Sequence, residues 1–124
     1  MTAEASHGAP SERADLQTLS NEMVRLYKEQ FGRGPTKAMS QFAGSDTLIC
    51  TLENSFTPAE RNMAALGEHQ RLRDVRQFFQ HVTEDQFVDA VERTTGRKVR
   101  GFVSGVDTAK DISAEVFYLH PNGG

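Results

Sequence analysis

FGRGPTK, residues Phe31–Lys37, is the stretch on which the fold turns. Two glycines flank an arginine, and proline, threonine and lysine follow. Such a run is either a phosphate cradle or the joint at which a helix stops and a strand begins. A phosphate loop needs strand, glycine loop and helix in that order, with the amides of a helix N-terminus aimed at the anion. Here the order is reversed. Leu16, Leu19, Met23, Leu26 and Tyr27 keep the three-and-four spacing of one helical face, which predicts a helix from about Glu12 to Phe31. Ser11 is placed to cap it, with Pro10 just outside. Gly32 and Gly34 suit a left-handed helix end, and Pro35 forbids continuation.

The segments after the joint alternate. Lys37–Phe42 sets Ala38, Ser40 and Phe42 on one side, and Thr47–Leu52 sets Leu48, Cys50 and Leu52 on one side. Ala43-Gly44-Ser45-Asp46 between them is turn chemistry, so the pair reads as an antiparallel hairpin. Thr57-Pro58-Ala59-Glu60 is a capping box with proline at the first helical position, and predicts a helix to about Leu66. A third helical stretch begins near Glu68, with Leu72, Val75, Phe79 and Val82 as its apolar stripe and Arg71, Arg73 and Arg76 pointing elsewhere. Thr83-Glu84-Asp85-Gln86 repeats the capping pattern, but no Gly or Pro interrupts the run, so one bent helix to Thr95 is expected. Val99–Val106 and Ile112–His120 close the chain as two strands joined by a turn at Asp107–Asp111.

Sliding the chain against itself by 64 positions sets Met23-Val24 on Phe87-Val88 and Gly32-Arg33 on Gly96-Arg97. A strand, a turn and a second strand follow each Gly-Arg. The expected architecture is therefore α+β: two helix–β-hairpin units, in the order α-β-β-α-α-β-β, forming an antiparallel four-stranded sheet with the helices mainly on one face. A glycine at the same place in both halves is most simply a helix C-cap. Gly32, Gly34, Pro35 and Gly96 are thus read as structural turns. Arg33, Lys37, Arg97 and Arg100 are the candidate anion- or partner-binding residues, on the condition that the two halves bring them to one cleft.

The 124 residues make one domain, expected over 15–121, behind a polar tail over 1–14 that is expected to be disordered. A net charge of −3 disfavours general nucleic-acid binding, which relies on phosphate neutralisation. No stretch approaches the ~20 apolar residues of a membrane span. The N-terminus lacks the apolar core of a signal peptide, so a cytoplasmic protein without direct membrane insertion is expected. Cys50 lies in the apolar run TLICTL and reads as a buried, inert thiol. The four histidines have no metal-ligand spacing, and Asp107 and Asp111 fall short of a calcium loop, so neither metal nor cofactor is expected. Arg93, Arg97, Lys98 and Arg100 suit a helix C-terminus. Ser104 has no nucleophile elbow around it, and no group of residues commits to catalysis. Val116–Leu119 is apolar without alternation, which suggests a central strand or a subunit contact and favours a homodimer.

Read together, NEMVRLYKEQFGRGPTKAMS, DTLICTLENSFTPAERNM, VERTTGRKVRGFVSGVD and AEVFYLHP resemble the MpsC-like domain family over roughly Leu16 to Pro121. That resemblance implies a small bacterial protein associated with a sodium-translocating, membrane-potential-generating system. It carries no catalytic residues onto this chain. The function it implies is a non-enzymatic accessory or regulatory module of a membrane ion or inorganic-carbon transport system, with a transporter subunit as partner. The alternative from the residues alone is a sensor of a small anion or nucleotide.

Overall fold

The computed structural model describes residues 10–121. Helix α1 spans Pro10–Phe31, so it begins two residues ahead of the expected Glu12. Residues 1–9 of the expected tail lie outside the described residues. Leu19, Met23, Leu26 and Tyr27 of α1 are buried, as their spacing implies. Gly32 ends the helix with φ 84, its amide donating to the Lys28 carbonyl. Strands β1 (Lys37–Phe42) and β2 (Thr47–Glu53) then pair as a hairpin, with Ser40 opposite Cys50.

Thr57 and Glu60 form the full capping box at the start of α2 (Pro58–Ala65). The Glu60 amide donates to Thr57 Oγ1 at 3.2 Å, and the Thr57 amide donates to Glu60 Oε1 at 2.9 Å. Gly67, with φ 80, turns the chain into the next helix.

The third helical stretch differs from expectation in two ways. It is broken at Thr83, into α3 (His69–Val82) and α4 (Glu84–Thr95). The Thr83 hydroxyl does not cap the second helix; it turns back and donates to the Phe79 carbonyl at 2.8 Å. A threonine bonded to the carbonyl four residues earlier bends a helix, and Thr83 itself leaves helical geometry at φ −104, ψ 13. The break lets α3 approach α2 while α4 lies along α1. The second correction concerns the face of α3. Its buried residues are Leu72, Arg76 and Gln80, whereas Val75 and Val82 of the expected stripe are exposed. Half of the expected stripe, Val75 and Val82, faces out because the inner side, with Leu72, is shared with Arg76 and Gln80 and their buried polar partners.

Strands β3 (Val99–Asp107) and β4 (Ile112–Leu119) complete one antiparallel sheet in the order β1-β2-β4-β3. The two hairpins thus join within one chain, through the β2–β4 ladder. Leu48, Cys50, Leu52, Ser113, Glu115, Phe117 and Leu119 face the helices and are buried. On the other face Ile49, Val116 and Tyr118 are half-buried, and Met39 and Val103 are exposed. The architecture is the expected α+β arrangement, helices on one face of a four-stranded sheet. The consecutive apolar run Val116–Leu119 belongs to a central strand that uses both of its faces.

The internal echo has a geometric counterpart. An offset of 64 positions puts an approximate twofold axis between the pairs Cys50–Glu115 and Thr51–Ala114. Gly96 ends α4 as Gly32 ends α1: φ is 71, and its amide donates to the Glu92 carbonyl four residues back.

Candidate functional site

The arginine after each glycine reaches the far end of its own hairpin. Arg33 Nη1 donates to the carbonyls of Asn54 (2.5 Å) and Phe56 (3.2 Å), just past β2. Arg97 donates from Nε (3.2 Å) and Nη2 (2.6 Å) to the carbonyl of His120, just past β4. Phe56 and His120 are themselves related by the 64-position offset. Arg97 adds a bond to the Ser45 carbonyl and an ion pair to Asp46 at 2.5 Å, which tie the two hairpins together. Both guanidiniums are therefore spent on chain joints.

The four sequence candidates do not share a cleft. Arg33 and Lys37 lie at the Glu53 end of β2, where Lys37 faces Glu53 at 3.7 Å. Arg97 and Arg100 lie at the Thr47 end, where Arg100 Nε donates to the Leu119 carbonyl and its guanidinium sits 5.7 Å from the Tyr118 ring centre. Seven strand residues at about 3.3 Å each put the two pairs roughly 20 Å apart. Arg100 occupies a register shift between Val99 and Gly101. Arg93 pairs with Asp89 and Glu22, and Lys98 with Glu92. Asp107 organises its turn by accepting the amides of Ala109 and Lys110. Asp111, with φ 56, accepts the amides of Ser55 and Phe56 and so links the β3–β4 turn to the entry of α2.

The chemically distinctive place is inside the core. A polar row crosses the buried face of all four strands: Ser40, Cys50, Glu115 and Ser104, each directly opposite the next. Glu115 is fully buried. Tyr27 from α1 and Gln80 from α3 both donate to its Oε2, and Gln80 Nε2 also reaches the Tyr27 hydroxyl at 2.9 Å. Glu115 Oε1, Gln80 Oε1 and Ser104 Oγ are buried without a hydrogen-bond partner. One helical turn before Gln80, Arg76 is also buried. It lies 3.7 Å from the Phe31 ring centre and 4.9 Å from that of Phe56. Its Nε and Nη2 grip Glu60 at 2.7 and 2.6 Å, and it also donates to Ser55.

Residues 14–121 match the model of a family described as the Na+-translocating membrane potential-generating system (MpsC). The chain belongs to the MpsC family. No curated protein and no solved structure matched it. In this MpsC chain, no helix among the described residues is long and apolar enough to cross a membrane. Nor do the described residues hold a group of three or more His, Cys, Asp or Glu side chains placed for a metal ion.

Burial governs the electrostatics of the core row. It pushes the Glu115 carboxyl up to about 7, against the opposing influence of Tyr27, the Ser104 hydroxyl, Gln80 and the Arg76 charge. Cys50 is buried as expected, and burial raises its thiol to about 12, which disfavours the reactive thiolate. Tyr27 is also raised, by burial and by the neighbouring carboxyl. Glu60 goes the other way. Burial works against its charge, but Arg76 and the Thr57 amide outweigh it and hold the carboxyl below its ordinary value.

The sequence reading missed Glu115, Gln80 and Arg76. A signal existed for Glu115: counting back by twos from Leu119 and Phe117 places it on the inner face of β4. Arg76 and Gln80 share the i, i+4, i+8 line of Leu72, but polarity assigned them to solvent.

Proposed function

We propose that this MpsC chain is a non-enzymatic accessory module of a membrane ion or inorganic-carbon transport system, acting on the cytoplasmic side through protein–protein contact. The observation that carries this reading is the family match over residues 14–121. A second observation supports contact with a partner rather than turnover of a small molecule. The three most exposed large apolar side chains lie before and along α3: Leu66, at 78%, follows α2, and Phe78 and Val82, at 61% and 60%, stand on the outer side of α3 with Val75. Side chains of this kind anchor protein interfaces. The anion-sensor alternative has less to rest on, since its four cations sit in two pairs at opposite ends of the sheet.

Deletion of the chain in its native host should lower membrane potential or ion and bicarbonate uptake, and the protein should co-purify with membrane components of that system. Unchanged potential and uptake in the deletion strain would end the proposal. A homodimer is a further part of it, with Met39, Ile49, Val103 and Val116 on the open face of the sheet as the surface offered. Light scattering that returned a monomer at high protein concentration would remove the dimer and leave the accessory role standing.

A further inference from the structure

The oxygens around Glu115 are one donor short. Its Oε2 is saturated by Tyr27 and Gln80; Glu115 Oε1 and Gln80 Oε1 are two buried acceptors without a partner, and the Ser104 hydroxyl, opposite Glu115 on β3, brings one hydrogen for the two. An unpaired carboxylate oxygen at such a place carries a heavy desolvation cost. A proton on Oε1 supplies the missing donor and removes the charge together.

Arg76 makes this proton matter beyond the site. It is the charged group of α3 within electrostatic reach of Glu115, and it is already committed to Glu60. The other groups that face Glu115 are Tyr27 from α1, Gln80 from α3, Cys50 from β2 and Ser104 from β3. None of them brings a full positive charge. Loss of the proton therefore sets Glu115 on β4 in competition with Glu60 for one guanidinium. It also removes the hydrogen that makes up the shortage which includes the unpartnered Gln80 Oε1 of α3. Both Arg76 and Gln80 lie on the inner side of α3, whose outer side displays Val75, Phe78 and Val82.

We propose that Glu115 is a buried proton-binding site whose occupancy sets how firmly α3 is seated on the sheet, and so how its outer apolar stripe is presented. The inference concerns the chain by itself and stands whether or not the accessory role is correct. The folded protein holds a proton that the unfolded chain, with an ordinary carboxyl near 4.5, has already released. Stability accordingly falls as pH rises from about 4.5 to about 7, and levels off above.

The test is a pH titration of the full chain by NMR with carbon-13 in the glutamate carboxyls, with amide exchange followed along α3. One slow-titrating buried carboxyl should show a midpoint near 7, and Glu115→Gln should delete that resonance. In the wild type, exchange along Leu72–Val82, corrected for its intrinsic pH dependence, should rise by roughly tenfold across the transition. In Glu115→Gln it should stay at the low-pH level throughout. That variant keeps His69, His81 and His120, so a transition owed to histidine would survive in it. A carboxyl that remained ionised down to about pH 5, as ordinary glutamates do, would overturn the proposal. So would a Glu115 transition that left α3 exchange unchanged. The wild-type titration decides the matter even if the variant fails to fold.

Discussion

Arg76→Ala is expected to destabilise the protein by about 3–5 kcal/mol, the range for removing one partner of a buried ion pair. For a domain of this length that lowers Tm by roughly 10–20 °C. Three losses combine. Glu60 keeps its charge in a mostly covered place without its bidentate partner. Ser55 loses donors to its carbonyl and hydroxyl. The space between the rings of Phe31 and Phe56, which the guanidinium fills, is vacated. Because the Glu60 carboxylate also closes the capping box of α2, the damage should spread to that helix. Arg76→Lys should rescue little, since an ammonium offers neither the planar fork nor the flat faces that the two rings cover. Arg76→Leu combined with Glu60→Gln should recover a large share, because both charges go together. Chemical denaturation of the four proteins measures this directly. A loss under about 1 kcal/mol for Arg76→Ala would mean that the pair is solvated and the α2–α3 corner is not held as described.

The second large effect is at the chain joint. Arg97 is about nine-tenths covered and places its guanidinium against the His120 carbonyl, the Ser45 carbonyl and Asp46 at once. Arg97→Ala breaks the contact between the second Gly-Arg corner and the β1–β2 turn. Hydrogen bonds to charged groups are worth about 1.5–3 kcal/mol each when the partner stays behind unsatisfied, but part of this site reaches water, so about 2 kcal/mol is the expected total. Amide exchange should report the loss first at Leu119 and His120, whose amides donate to the Asp46 and Lys98 carbonyls. Equal protection there in variant and wild type would show that the arginine is dispensable to the joint.

Much of this scaffold could be read from residues that act locally. Thr57 and Glu60 specify their helix start by their own hydrogen bonds, wherever the helix docks. The Gly-Arg echo was legible because a left-handed helix end needs glycine, and two such ends at one offset imply two similar units. Alternation in β1 and β2 assigned the buried side of the first hairpin correctly, since Leu48, Cys50 and Leu52 are themselves side chains that burial favours. Reading failed where a residue's side was decided by a partner far along the chain. Arg76 turns inward for Glu60 and two aromatic rings, and Gln80 for Glu115 and Tyr27. Periodicity counts such residues as outward and gave α3 the wrong face. Thr83 misled for a related reason: its hydroxyl had two possible local roles, accepting from the next helix's amides as a cap or donating to the Phe79 carbonyl, and the back-bond prevailed. The candidate cations failed to meet because a twofold axis through the centre of a sheet carries equivalent corners to opposite ends of it.

The central claim is that Arg33 and Arg97 are joints of a twofold-repeated scaffold and hold chain rather than ligand. Thermal unfolding of the wild type, Arg33→Ala and Arg97→Ala, each in phosphate and in chloride of matched ionic strength, tests it most directly. The account predicts a lower Tm for both variants and the same phosphate-against-chloride difference, the general effect of an excluded salt, in all three proteins. A wild type raised by phosphate, with the rise lost in either variant, would contradict it, since a site filled to 100 times its Kd adds about 2.7 kcal/mol.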